Sequence, residues 1–126
     1  ILEKMSREQV SSLPTFSDQI AQKLVQNANG FSFTVEPFML ENNGVLSHGV
    51  LTEILNTATH QLVASNGRSL IIEQMMIYFL QAVQLDDYLT LTSRVVHETR
   101  RSAIIDYDVY LDHQLVAKAT MTVKIN

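Results

Sequence analysis

The chain has 126 residues, 46% of them hydrophobic, with 9 basic against 13 acidic side chains, a formal charge of -4 and no cysteine. That length and apolar content bound one domain with its own core, and the acidic balance lacks the clustered Lys and Arg that displace counterions from a nucleic acid. Without thiols there is no disulfide, thiolate metal site or cysteine nucleophile; no apolar run approaches the roughly 20 residues of a membrane-spanning helix, and no basic-then-apolar leader opens the chain.

A cytoplasmic location is the expectation, and a start at Ile1 without Met reads as a piece of something longer. Residues 1–27 read as a polar helical extension. Ser6-Arg7-Glu8-Gln9 has the pattern of a capping box and Pro14 marks a break, after which Phe16, Ile20, Leu24 and Val25 space an apolar stripe along a second helix over 17–26. This segment is expected to be a linker or docking helix, with residues 28–126 forming the domain proper. Asn27-Ala28-Asn29-Gly30 is a turn signal, and 31–35 then alternate apolar and polar side chains as a half-buried strand does. Pro37 ends that strand or holds it at an edge, because proline cannot donate to a ladder.

A turn-rich loop, Asn42-Asn43-Gly44-Val45-Leu46-Ser47, leads through His48-Gly49 into the strongest helical pattern, Val50 to about residue 64. Its apolar face is Val50, Leu51, Ile54, Leu55, Ala58 and Leu62, with Glu53, Asn56, Thr57, His60 and Gln61 opposite. The N–H groups at a helix start are unpaired and lie at the positive end of the helix dipole, so this junction favours a carbonyl oxygen, a carboxylate or a phosphate. Asn66-Gly67 supplies residue types that tolerate a left-handed cap.

Residues 70–80 are apolar on both parities, Ile71, Met75, Ile77 and Phe79 on one and Ile72, Met76, Tyr78 and Leu80 on the other. That places the strand in the middle of a sheet or beneath a partner subunit. The runs 88–97, 103–111 and 115–125 alternate more cleanly, and the connections 98–101 and 112–113 are short enough only for hairpins. One strand, one long helix and four strands in a meander make an α+β fold, a curved antiparallel sheet of about five strands wrapped around one central helix.

That order, with Asn43, Gly44, His48 and Gly49 ahead of the helix, resembles the hotdog fold of acyl-CoA thioesterases, above all the phenylacetate-type group, over residues 31–125. Val50 stands where that group has a second glycine. The resemblance implies a homodimer or dimer of dimers, with an acyl-CoA lying between the helix start of one subunit and the surface of the other and no metal cofactor. It also implies an Asp or Glu on the helix about two and a half turns past the His-Gly; here the position falls on Asn56 or Thr57, neither of which takes a proton from water. In the hotdog ligand-binding domains of certain bacterial lipid-synthesis regulators an asparagine occupies this part of the helix, and Asn56 is its counterpart. Ile1-Leu2-Glu3-Lys4-Met5 further resembles the end of the closing helix of a CBS pair, as in regulators where such a pair precedes a hotdog domain.

The candidate site residues each carry a bland alternative. His48 contacts the ligand or merely caps the helix; Gly49 allows close backbone approach or is ordinary helix entry; Asn56 and Thr57 hold a ligand carbonyl or face a wet interface. Glu53, the one acid on the helix, is a candidate catalytic group or a solvated surface acid. Arg100, Arg101 and Ser102 at a hairpin suit the phosphates of coenzyme A or simply keep a hairpin tip charged. No His and carboxylate group has metal-ligand spacing, and no serine nucleophile motif is present. The reading that follows is an acyl-CoA-sensing domain of a cytoplasmic regulator, weakly catalytic or not at all, with no contact to nucleic acid or membrane. The alternatives are an acyl-CoA thioesterase using Glu53 and a structural dimerisation module.

Overall fold

Thr15 starts the first helix by closing a capping box. Its hydroxyl accepts the N–H of Asp18 at 3.1 Å and the Asp18 carboxylate accepts the N–H of Thr15 at 3.0 Å. The computed structural model describes residues 15–28, 30–64 and 67–126; the capping box expected at Ser6, the break at Pro14, the CBS-like residues 1–5, and Asn29 and Asn66 of the two turn signals lie outside these. Helix α1 runs Phe16–Lys23 and stops earlier than its apolar stripe suggests, because Leu24 is already extended. Val25–Asn27 instead forms a short strand, β1, hairpinned onto β2, Gly30–Thr34. Ile20 and Leu24 enter the main core, whereas Phe16 and most other residues of α1 are exposed.

Helix α2, His48–Ala64, begins two residues before the expected Val50, since Ser47 caps it: the N–H of Val50 reaches Ser47 Oγ at 3.4 Å and that of Leu51 reaches Ser47 O at 3.1 Å. The strands that follow are β3, Leu70–Phe79, β4, Tyr88–Glu98, β5, Ser102–Leu111, and β6, Gln114–Ile125. All pairings are antiparallel, in the order β1-β2-β4-β5-β6-β3. The α+β hotdog-type plan holds, with six strands rather than about five. The expected four-strand meander is corrected to three: β4, β5 and β6 are joined by hairpins, whereas β3 lies beyond β6 at the sheet edge. Only the two short connections forced neighbours together; residues 80–87 are long enough to carry the chain from one side of the sheet to the other.

The edge position excludes the first of the two expected places for 70–80, the middle of the sheet, and not the second, beneath a partner subunit. The β3 register shifts between Ile72 and Gln74, leaving Glu73 as a bulge. Ile72 pairs with Val123 ahead of the bulge, and Met75 and Ile77 pair with Met121 and Ala119 after it, so the inward parity switches along the strand. Ile71, Met76 and Tyr78 are exposed. On the outer face of the sheet Lys118 pairs with Asp108 at 3.0 Å, which raises the Lys118 pKa, and Arg94 lies 3.5 Å from Asp106.

One polar contact lies deep beneath α2. Thr59 Oγ donates to the carbonyl of Leu55 at 2.8 Å, accepts from the Tyr107 hydroxyl at 2.7 Å and touches Met121 Sδ at 3.1 Å. Burial pushes the Tyr107 pKa up to about 12. The folded chain therefore keeps a proton that the unfolded chain releases near pH 10, so stability is intact below pH 10 and falls as pH rises towards 12. A loss of about 2 to 3 kcal/mol is expected over that window, measurable by urea unfolding at stepped pH. Tyr107→Phe should flatten the slope.

Candidate functional site

The loop before α2 is built by local bonds. Gly44 takes φ +82 and its N–H reaches Glu41 O at 2.9 Å, while the N–H of Val45 reaches Asn43 Oδ1 at 3.3 Å. Asn43 and Gly44 are thus an exposed turn that shapes the loop. Two straps then fix the approach to the helix: the N–H of Leu46 to Val83 O at 2.7 Å and that of Ser47 to Met39 O at 2.9 Å.

His48 and Gly49 occupy the first turn of α2, and among the described residues their N–H groups have no acceptor, as geometry requires of a helix start. The His48 ring stacks on Phe79, centroids 3.6 Å apart and planes 9° from parallel. Beside this pair opens a cleft of about 240 Å³ bounded by Ser47, His48, Leu51, Phe79, Leu80 and Val83, with Leu89, Val109, Val116 and Ala117 beneath. An apolar cleft next to the positive end of a helix suits a carbonyl that carries an apolar tail.

The other polar residues of α2 point elsewhere. Glu53 Oε1 accepts the Ser17 hydroxyl of α1 at 2.7 Å, the Thr57 hydroxyl at 3.4 Å and the Asn56 amide at 3.5 Å. This cluster borders a shallow groove with Asp18, His60 and Gln61, and none of its members lines the His48 cleft. Ser17 carried no signal as a site residue in the sequence, since its partner is 36 positions away.

Arg100, Arg101 and Ser102 sit at the β4–β5 turn, which Thr99 organises: its Oγ1 is 2.7 Å from Ser102 Oγ and accepts the N–H groups of Arg101 and Ser102 at 3.3 and 3.1 Å. Arg68 joins them, donating to Arg100 O at 2.7 Å, a third guanidinium that sequence reasoning missed because only the fold brings 68 and 100 together. This basic end meets β6 at Lys124, whereas the cleft meets it at Ala117, about 23 Å along the strand. Within one chain the two parts of the expected site are therefore apart. Among the described residues no three His, Asp or Glu side chains gather as a metal site, and no helix is long and apolar enough to cross a membrane.

The model of the thioesterase superfamily matches residues 43–118, a span that starts in the loop and ends at β6. The uncharacterised protein YtoI of Bacillus subtilis strain 168 is 29% identical over 96 residues, 75% of this chain and 22% of that protein, so the chain spans about a fifth of its relative's length. A hypothetical thioesterase of Streptococcus pneumoniae TIGR4, solved with coenzyme A, is 26% identical with a TM-score of 0.73, over 82% of this chain and 84% of that one. A Streptococcus mutans UA159 protein solved with acetyl-CoA is 25% identical with a TM-score of 0.73, over 82% and 87%. The PaaI protein of Escherichia coli, from the phenylacetic acid degradation operon, shares the fold at 23% identity and a TM-score of 0.69, over 75% and 69%.

Proposed function

The chain belongs to the thioesterase superfamily, and on that premise we propose that it binds an acyl-CoA thioester and holds it with little or no cleavage, as the ligand-sensing part of a larger cytoplasmic regulator. The observation that carries this reading is the division of labour along α2. Its start combines free N–H groups with an apolar cleft, a setting for a thioester carbonyl and its acyl tail. Farther on, where the resemblance calls for an acid, stand Asn56 and Thr57. The helix's one carboxylate, Glu53, is held by three donors away from the cleft. A base must reach the water that attacks the carbonyl, and among the described residues of one chain no carboxylate lines the cleft.

Two relatives at 25–26% identity were solved with coenzyme A or acetyl-CoA, which supports the ligand class. The larger-protein part of this reading draws on YtoI, of which this chain matches 22%, and the sensing role on the CBS-like sequence of residues 1–5. In our reading the protein is a homodimer paired along β3. That strand has a free edge, and Ile71, Met76 and Tyr78 are exposed on it, a combination that invites strand pairing. Antiparallel β3–β3 pairing sets the Leu70 end of one protomer against the Phe79 end of the other. The partner's basic turn is thereby brought towards the cleft, and a site divided within one chain becomes whole across two. Arg68, Arg100 and Arg101 then meet the ligand's phosphates.

Thermal unfolding of the purified protein with free coenzyme A and with acetyl- to long-chain acyl-CoA tests the ligand class. At a concentration 100-fold above Kd the expected stabilisation is about 2.7 kcal/mol. An unchanged melting temperature with every CoA compound would overturn the reading.

A further inference from the structure

The cleft beside His48 owes its existence to two features of β6. Its register against β5 slips between Val109 and Tyr110, so that Val116 is an extra residue and both Val116 and Ala117 turn inward, each nearly inaccessible. In the row that crosses the sheet here, Ala117 lies between Phe79 on β3 and Val109 on β5. Flanked by larger side chains, Ala117 fills almost nothing above its own Cβ, and the space beneath Leu51 stays open. The loop segment at Val83 and the His48–Phe79 stack wall it laterally, leaving the mouth at the helix start.

We propose that the acyl group enters this cleft within a single chain, and that Ala117 sets its length, selecting short- to medium-chain acyl thioesters. The proposal rests on the thioester-binding reading above and adds to it the size class and the residue that enforces it. A sealed apolar cavity of about 150 Å³ takes up benzene. By that scale a 240 Å³ cleft accommodates an acyl chain of about six to nine carbons. The lining beneath is aliphatic (Leu51, Leu89, Val109, Val116 and Ala117), whereas the polar side chains of the lining, Ser47, His48 and Gln81, come from the helix start and the loop that follows β3, so the floor favours an unsubstituted acyl tail.

The test is a chain-length series, from free coenzyme A through acetyl-, butyryl-, hexanoyl-, octanoyl- and dodecanoyl- to palmitoyl-CoA, with Kd measured by calorimetry on the whole chain. Each added methylene should tighten binding about four-fold until the floor is reached near octanoyl, and longer chains should gain nothing or weaken. Ala117→Leu should move the optimum shorter and weaken octanoyl-CoA at least about ten-fold, and acetyl-CoA far less; Val109→Ala should move it longer. Because the profile of the unmodified chain is itself a test, poor folding of either variant does not rescue the proposal. Equal Kd for free coenzyme A and every ester would overturn it while leaving CoA binding standing; a palmitoyl optimum overturns it as well. No binding of any member removes both this inference and the reading beneath it.

Discussion

Gly30→Ala is expected to strip β1 and β2 from the sheet or unfold the domain outright, at a cost of at least about 4 kcal/mol. Gly30 takes φ +148, which side-chain-bearing residues rarely adopt, and an added Cβ would fall well inside contact distance of Leu91 O and 3.1 Å from Leu91 C. The obstacle is backbone of the neighbouring strand, which pairs with β2 throughout its length, so it cannot step aside without breaking the ladder. Phe31 and Phe33, both almost fully buried, would leave the core with β2. A domain of this size holds only about 5–15 kcal/mol in total. Gly44→Ala is the control: φ is +82 but nothing lies within 4 Å, so only the backbone preference is lost, about 1 kcal/mol. Urea unfolding by circular dichroism separates the two, and equal midpoints for both variants would contradict this account of the β2–β4 contact.

Thr59→Val is expected to destabilise by about 1–3 kcal/mol, and Tyr107→Phe by about 1 kcal/mol or less. The asymmetry comes from what each change leaves behind. Without Thr59 Oγ, the Tyr107 hydroxyl has no partner in a site that water does not reach. Without the Tyr107 hydroxyl, Thr59 still donates to Leu55 O at 2.8 Å. The double variant should therefore be less destabilised than the sum of the two, because removing both groups leaves no stranded donor. Strict additivity in chemical denaturation would show that the two hydroxyls do not interact.

The sequence made the central helix and the β4–β6 hairpins legible because both rest on local signals: a broad 3.6-residue apolar face in the first case and connections too short for anything but a hairpin in the second. Helix α1 was recognisable, but its end was not, since Val25 continues a helical stripe while in fact joining β1. The inward face of β3 could not be read by parity, because Glu73 bulges and the period changes partway. Its place at the sheet edge depended on a connection long enough to go either way. For the site, the His48-Gly49 helix start was visible as a junction of unpaired N–H groups. The cleft was not, because it arises from Ala117 and the bulge at Val116, more than 60 positions downstream. Nor could local pattern show that α1 reaches Glu53 through Ser17, or that Arg68 braces the Arg100 turn.

The central claim is that this helix start holds a thioester without cleaving it. The most direct measurement is free-thiol release from a saturating acyl-CoA, followed for hours at pH 7 with binding confirmed in the same sample. Release at the rate seen without protein, for the unmodified chain and for Glu53→Ala alike, is the predicted result. Multiple turnovers per minute by the unmodified chain, lost in Glu53→Ala, would contradict it and make the Glu53 cluster the working half of a hydrolase.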